Sequence, residues 1–100
     1  MAKDMPVLSK PKNGELAGST TAAIFPTVAC TMAWIKAVAS NAGKVYVGGA
    51  GVTKPDGSTD TTTGFELAAG EVLGPLAIDN LNRLYRICDN AGDDLTYFVL

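Results

Sequence analysis

The sequence contains no histidine and has few charged or aromatic residues. Only 18% of its 100 residues are charged and 7% are aromatic. Without an imidazole, neither the serines nor the two cysteines have the usual base that activates a nucleophile, and zinc chemistry lacks its commonest ligand. No apolar run approaches the roughly 20 residues that a transmembrane helix requires. We therefore expect a protein that is not an enzyme, holds no cofactor or metal, and does not enter a membrane.

The charges are distributed unevenly along the chain. Residues 1–54 carry a net charge of +4 and residues 55–100 a net charge of −6, within a total of −2. Opposite signs in the two halves favour contact between copies or with a neighbouring protein, although solvated charges sorted by chance give the same pattern. No basic stripe with interleaved aromatic residues is present, so we do not expect a nucleic-acid partner.

The two cysteines predict free thiols rather than a disulfide. Cys30 and Cys88 lie in or beside apolar runs, and the first six residues lack the apolar stretch of a secretory signal. Buried, reduced cysteines are typical of proteins made in the cytoplasm. We therefore expect synthesis and folding in the cytoplasm.

Short apolar runs separated by turn residues dominate the second half of the chain. Val, Ile, Tyr, Phe and Thr are concentrated in these runs, and Gly, Asn and Asp in the gaps between them. The predicted strands cover residues 31–39, 44–47, 64–67, 71–73, 83–87 and 95–100. This pattern predicts an all-β protein, either a small antiparallel β-sandwich or a jelly-roll-like barrel.

The chain divides into two regions of different character. Residues 1–20 contain two prolines and the basic residues Lys3, Lys10 and Lys12, with little periodicity, and predict an extended N-terminal arm. Residues 21–100 predict the packed β-sandwich module. A frayed terminus is the alternative interpretation of the first region.

The predicted strand over residues 31–39 alternates between two faces. One face carries Ala33, Ile35 and Ala37, and the other carries Met32, Trp34, Lys36 and Val38.

A hairpin through residues 40–43 is expected to join this strand to the next one. Val45 and Val47 then share the first face, and Tyr46 lies on the second. We expect Trp34 and Tyr46 to meet as a cross-strand aromatic pair.

The sequence of this turn is repeated near the end of the chain. Asn-Ala-Gly occurs at residues 41–43 and again at 90–92, each time between two predicted strands. The repeat predicts two similar hairpins packed face to face, as in a sandwich.

Three loops invite chemical interpretations. Residues 48–54 are glycine-rich but lack the order of a phosphate-binding loop, and no helix pattern follows them. Residues 89–94 gather acidic side chains that suit calcium, but without the alternating spacing of a calcium loop, so a turn is favoured. Residues 56–63 are rich in hydroxyl groups and predict a polar loop that is either solvated or in contact with a receptor or sugar.

Residues 33–99 resemble a small β module that recurs in virion proteins of tailed bacteriophages, especially head decoration and head-fibre proteins. The resemblance lies in an ordered set of segments: Ile35-Lys36-Ala37, residues 41–49, residues 64–71, residues 79–85 and Leu95-Thr96-Tyr97. It implies a non-enzymatic structural protein of the virion. The loop of residues 52–63 is longer than the connection usual in such modules, and the N-terminal arm lies outside the resemblance.

The expected function is that of a capsid decoration protein that binds the major capsid protein and stabilises the head. The alternative is a tail- or fibre-associated module that binds a receptor or carbohydrate, and a calcium-stabilised adaptor is a third interpretation.

We expect a homo-oligomer, with a trimer as the working guess. Trp34 and Tyr46 are the expected anchors between copies, and Lys3, Lys10 and Lys12 the expected contacts with the shell. The expected core comprises Ile35, Val45, Val47, Phe65, Leu67, Leu84 and Tyr97.

Overall fold

Eight short strands form over residues 10–100, which are the residues that the computed structural model describes. They are β1 (Lys12–Leu16), β2 (Ala23–Ile24), β3 (Ala33–Ala37), β4 (Val45–Gly48), β5 (Phe65–Leu67), β6 (Val72–Leu76), β7 (Tyr85–Cys88) and β8 (Leu95–Val99). A single 3-10 turn, Leu81–Arg83, precedes β7. The all-β prediction is confirmed, and most predicted strands lie within two or three residues of the observed ones.

The strands form two four-stranded antiparallel sheets that pack as a β-sandwich. The first sheet has the order β1-β8-β3-β6, and the second has the order β2-β7-β4-β5. Each sheet therefore mixes strands from the beginning, middle and end of the chain. Neither sheet can therefore form from one half of the sequence alone.

The alternation in β3 places its small and branched residues in the core. Ala33, Ile35 and Ala37 are all fully buried between the sheets, while Lys36 is exposed on the other side. The predicted core members Ile35, Val45, Val47 and Leu67 are buried, and Leu84 and Tyr97 pack against them while partly buried. Each large apolar side chain that is fully buried contributes about 1.5 to 3 kcal/mol to stability.

The prediction that Phe65 belongs to the core is wrong. Phe65 pairs with Val47 in the register of β5 and β4, yet it is 60% exposed. β5 is the edge strand of the second sheet, so no further strand covers that side of Phe65. It lines an open cleft of about 360 Å³ together with Leu67, Glu71 and Val72.

The two predicted hairpins are also wrong, because each Asn-Ala-Gly turn crosses between the sheets. Residues 38–44 carry the chain from β3 in the first sheet to β4 in the second, and residues 89–94 carry it back from β7 to β8. We call these two segments the arches. Trp34 and Tyr46 consequently lie in different sheets and cannot form the expected pair. A turn signal shows that the chain reverses, but not whether the next strand hydrogen-bonds to the previous one.

The two arches bind each other at one end of the sandwich. The Asn41 side chain donates to the Asp94 carbonyl at 2.8 Å and accepts from the Asp94 amide at 2.9 Å. The amides of Ala42 and Gly43 donate to one carboxylate oxygen of Asp93, at 3.1 and 3.0 Å. The repeated Asn-Ala-Gly sequence therefore marks two connections between the sheets that bind each other, rather than two hairpins.

The sandwich begins earlier in the chain than the sequence predicted. Lys12–Leu16, which we expected to belong to an arm that ended at residue 20, forms β1 and pairs along its whole length with β8. Two prolines and two glycines obscure the strand pattern in this region. The part of the predicted arm within residues 1–9 lies outside the described residues.

The equivalent glycines of the two arches are expected to differ sharply in their tolerance of alanine. A Cβ atom on Gly43 would come within 2.7 Å of the Asp93 carboxylate and of the Asp89 Cβ, whereas a Cβ on Gly92 meets no atom within 4 Å. We expect Gly43→Ala to lower the free energy of unfolding by about 1 to 3 kcal/mol because the arches must separate. We expect Gly92→Ala to be neutral or stabilising by up to about 1 kcal/mol. Urea unfolding of both variants measures the difference, and equal effects would mean that the arches do not dock closely.

Candidate interaction surface

Part of the outer face of the second sheet is covered by the chain itself. Val52, at the start of the long loop between β4 and β5, is only 4% exposed. A Cβ atom on Gly48 or Gly64 would approach its Cγ2 atom to 2.9 or 2.7 Å, so the loop lies directly on these two glycines. Lys54 donates from its ammonium to the Cys88 carbonyl, at 3.4 Å. The start of this loop therefore shields the part of the face around Gly48 and Gly64, whereas Ile24, farther across the same face, stays 52% exposed.

Tyr46 lies beneath this cover, so it cannot serve as an anchor on the surface. Its side chain is on the outer side of β4, yet the residue is only 5% exposed. The hydroxyl group donates to a carboxylate oxygen of Asp89 at 3.2 Å. Burial, followed by the nearby Asp89 carboxylate, raises the pKa of Tyr46 to about 12. The expected role of Tyr46 between copies is therefore wrong, because its side chain is buried within its own chain.

The outer face of the first sheet, in contrast, carries an exposed aromatic pair. Trp34 in β3 is directly opposite Phe98 in β8, and their ring centroids are 5.8 Å apart. Trp34 is half-buried and Phe98 is 44% exposed. Trp34 also lies close against the backbone of β6, because a Cβ on Gly74 would come within 3.1 Å of its Cδ1 atom.

Other apolar side chains extend this surface. Met32 and Leu100 follow the pair along β3 and β8, and their backbones bond to each other through the Met32 and Leu100 amides at 3.3 and 2.9 Å. Val72 lies at the β6 edge, opposite Lys36. We name the outward residues of these four strands the Trp34 face: Asn13, Glu15, Met32, Trp34, Lys36, Val72, Thr96, Phe98 and Leu100.

The Trp34 face holds most of the exposed large apolar side chains among residues 10–100. Six such side chains are exposed, and four of them, Met32, Val72, Phe98 and Leu100, lie on this face. Contiguous exposed apolar surface on a soluble protein marks contact with another molecule, and large aromatic residues are its usual anchors. The Trp34 face is therefore the candidate interaction surface.

Sequence reasoning identified Trp34 but missed Phe98. Alternation along β8 places Phe98 and Tyr97 on opposite faces of the strand, but it does not show which of these faces points outward. Only the register of β8 against β3 brings Phe98 beside Trp34. The role of Trp34 between molecules stays a prediction, and its position outside the core is compatible with that role.

The two described lysines of the predicted shell contact lie together at one end of the sandwich. Lys10 and Lys12 are exposed and line a cleft of about 290 Å³ with Cys30, Thr31 and Leu100. Lys3 lies outside the described residues.

Both cysteines are free thiols. Cys88 is fully buried and Cys30 is half-buried, with its thiol 3.4 Å from the Ile78 carbonyl. Burial raises the pKa of both thiols, so they stay protonated at neutral pH.

The acidic loop of residues 89–94 is used for hydrogen bonding between segments. Asp93 is 1% exposed, and its second carboxylate oxygen accepts from the amide and the side chain of Asn90, each at 2.9 Å. Asp89 accepts from the Lys44 amide, and Asp94 accepts from the Gly18 amide. The part of the chain seen in the structure has no group of three or more acidic or cysteine side chains arranged to hold a metal ion. The clustered carboxylates thus have a structural explanation.

The hydroxyl-rich loop of residues 56–63 is exposed along its whole length. Ser58 donates from both its amide and its hydroxyl group to Asp56, at 3.0 and 2.6 Å. These bonds hold the pKa of Asp56 below its ordinary value. The role of this loop in binding a receptor stays a prediction.

No protein-family model, curated protein or solved structure matches the chain. Over residues 10–100 there is also no helix long and apolar enough to cross a bilayer.

Replacement of the Asp93 carboxylate is expected to weaken the sandwich in a pH-dependent way. Burial opposes ionisation of Asp93, but the hydrogen bonds from Gly43, Asn90 and Ala42 outweigh it and lower its pKa below 3.8. Its contribution to stability is therefore complete above pH 3.8 and is lost as the pH falls through the lower folded value. We expect Asp93→Asn to lose about 2 to 4 kcal/mol at pH 7, because an amide keeps only one of the two acceptor oxygens.

Urea unfolding at pH 7, 4 and 2.5 tests this expectation. The native protein should lose more stability between pH 4 and 2.5 than the Asp93→Asn variant does. Asp60→Asn, which removes a carboxylate from the exposed loop, is the matched control and should follow the native curve. Identical acid sensitivity in all three proteins would exclude Asp93 as the source.

Proposed function

We propose that this protein is a non-enzymatic structural protein of a phage virion, and specifically a capsid decoration protein that binds the major capsid protein and stabilises the head. The ordered segments of residues 33–99 support the virion assignment through their resemblance to phage decoration modules. The observation that carries a binding role is the Trp34 face, on which Met32, Val72, Phe98 and Leu100 are exposed among the described residues 10–100.

The contrast between the two sheets supports this role. Val52 and its loop cover the part of the second sheet's outer face around Gly48 and Gly64, whereas the first sheet exposes Phe98 and Met32 together. Removing exposed apolar area from water is favourable by about 25 cal/mol per Å². A molecule that covers this face in the virion therefore gains binding energy from contacts that are already pre-organised by the sheet.

A shell with many equivalent sites amplifies weak contacts. A small protein that bridges two or more neighbouring molecules is retained by their combined affinity, even when each contact alone is weak. In this proposal the basic residues Lys10 and Lys12, with Lys3, contact acidic surface of the shell protein. Complementary charge increases the association rate and fixes orientation.

Truncation of Trp34 is expected to remove the protein from particles. Trp34→Ala should reduce its affinity for heads that lack the native protein by about 30-fold, because buried tryptophans at interfaces contribute about 2 kcal/mol or more. Ile24→Ala is the matched control, since Ile24 is 52% exposed but lies on the second sheet. Binding of each purified variant to such heads, followed by sedimentation and electron microscopy, gives the occupancy. Equal occupancy for both variants would reject the Trp34 face as the contact surface.

Reversal of the lysine charges should weaken binding in a salt-dependent manner. We expect Lys10→Glu combined with Lys12→Glu to lower occupancy at low ionic strength, with a smaller effect near 0.5 M salt, where charges are screened beyond about 4 Å. Lys44→Gln, which removes a lysine paired with Glu66 on the second sheet, is the control. Full occupancy of the double variant at low salt would exclude the basic contact.

A tail- or fibre-associated module that binds receptors or carbohydrates is the second candidate. The exposed Trp34–Phe98 pair favours it, because aromatic rings on an open sheet also stack against sugar rings. A glycan-binding assay separates the two functions. Saturable sugar binding that is lost in Trp34→Ala, together with no binding to heads, would favour the second candidate over decoration.

A further inference from the structure

One row of the Trp34 face carries opposite charges placed symmetrically about β8. Glu15 in β1 and Lys36 in β3 both pair in register with Thr96, one on each side of it. Both charged residues are exposed. The ion pairs found within residues 10–100 join Lys44 to Glu66 and Arg83 to Asp79, so neither Glu15 nor Lys36 has an ion-pair partner there.

We propose that the Trp34 face is covered by a second copy of this chain, related by a two-fold axis that runs along β8. Such an axis leaves the strand direction unchanged and exchanges the two sides of β8. It therefore places β1 of each copy opposite β3 of the other. A two-fold interface of this kind is self-complementary, because the same surface serves both partners.

The register then brings the charges together across the interface. Glu15 of each copy faces Lys36 of the other, which forms two equivalent ion pairs, while Thr96 faces its own counterpart. Neighbouring strands are about 4.8 Å apart and packed sheets about 10 Å apart, and long Glu and Lys side chains span that gap. Aligned packing of two sheets is also the usual geometry of sandwiches.

The apolar residues support the same axis. Phe98, which is next but one to Thr96 on β8, faces Phe98 of the second copy and so becomes buried. A two-fold axis perpendicular to the strands through Trp34 and Phe98 would instead place Lys36 on Met32 and leave its charge unpaired on apolar surface. Burying an unpaired charge is costly, so the axis along β8 is favoured.

The size of the face sets the expected affinity. Four strands by five residues cover about 19 Å by 17 Å. This is about 320 Å² per copy and about 650 Å² in total, which is less than the roughly 1,000 Å² that a stable interface needs, so we expect a weak, transient dimer with a dissociation constant of about 0.1 mM or weaker. The inference does not depend on the virion assignment, and it replaces the expected trimer with a two-fold contact. A face covered by a second copy does not also contact the shell, so in this dimer Trp34 affects occupancy on heads by pairing two copies, and the lysines of each copy supply the contact with the shell.

Charge exchange across the interface tests the arrangement with the whole 100-residue chain. Glu15→Lys or Lys36→Glu alone should weaken self-association by about tenfold, because each creates two like-charge contacts per dimer. The double variant Glu15→Lys with Lys36→Glu should return to within about twofold of the native protein, because the pairs are restored with reversed sign. Analytical ultracentrifugation measures each dissociation constant at protein concentrations up to about 1 mM, which is near the weak limit of specific association.

Asp60→Lys is the matched control, since it makes the same change of charge as Glu15→Lys on the exposed loop of residues 56–63. It should associate as the native protein does, and circular dichroism should show that every variant is folded. A native protein that stays monomeric at about 1 mM, a trimer, or a double variant as weak as the single ones would each overturn the proposed dimer. A native protein that is monomeric but occupies heads normally would overturn the dimer and leave the decoration function standing.

Discussion

The buried carboxylate of Asp93 is the interaction on which the arrangement of this sandwich depends. It accepts hydrogen bonds from Ala42 and Gly43 in one arch and from Asn90 in its own, so it joins the two places where the chain crosses between the sheets. A carboxylate that is 1% exposed is stable only when such donors replace water. Gly43 is required at this contact because any larger residue would occupy the space of the carboxylate.

The fixed crossings determine which surfaces the two sheets expose. Because β3 and β8 are adjacent in one sheet, Trp34 and Phe98 meet on its outer face. In the other sheet, Tyr46 is buried and its hydroxyl group donates to Asp89 at the end of β7. Within residues 10–100, most of the exposed large apolar side chains therefore lie on the outer face of the first sheet. This asymmetry is the physical basis for proposing a binding role, because exposed apolar side chains gain from contact with another molecule.

Much of the local structure could be predicted from the sequence. Alternation in β3 correctly assigned Ala33, Ile35 and Ala37 to the core, since a strand directs successive side chains to opposite faces whatever its neighbours are. The same rule failed for Phe65, because burial on an edge strand depends on what lies beyond the edge. It also did not identify Phe98, which belongs to the candidate surface because it pairs with Trp34 in another strand.

The sequence by itself determined the fold class, the approximate strand positions and the absence of an imidazole for catalysis, because these follow from residue types and their local spacing. The tertiary structure alone decided that the Asn-Ala-Gly turns are crossings, that residues 12–16 complete the first sheet, and that Glu15 and Lys36 share a row with Thr96. Pairing between strands distant in the chain is decided by the fit of the whole core and by hydrogen bonds such as those of Asp93. No local pattern encodes that fit, since each turn and each strand is compatible with several partners.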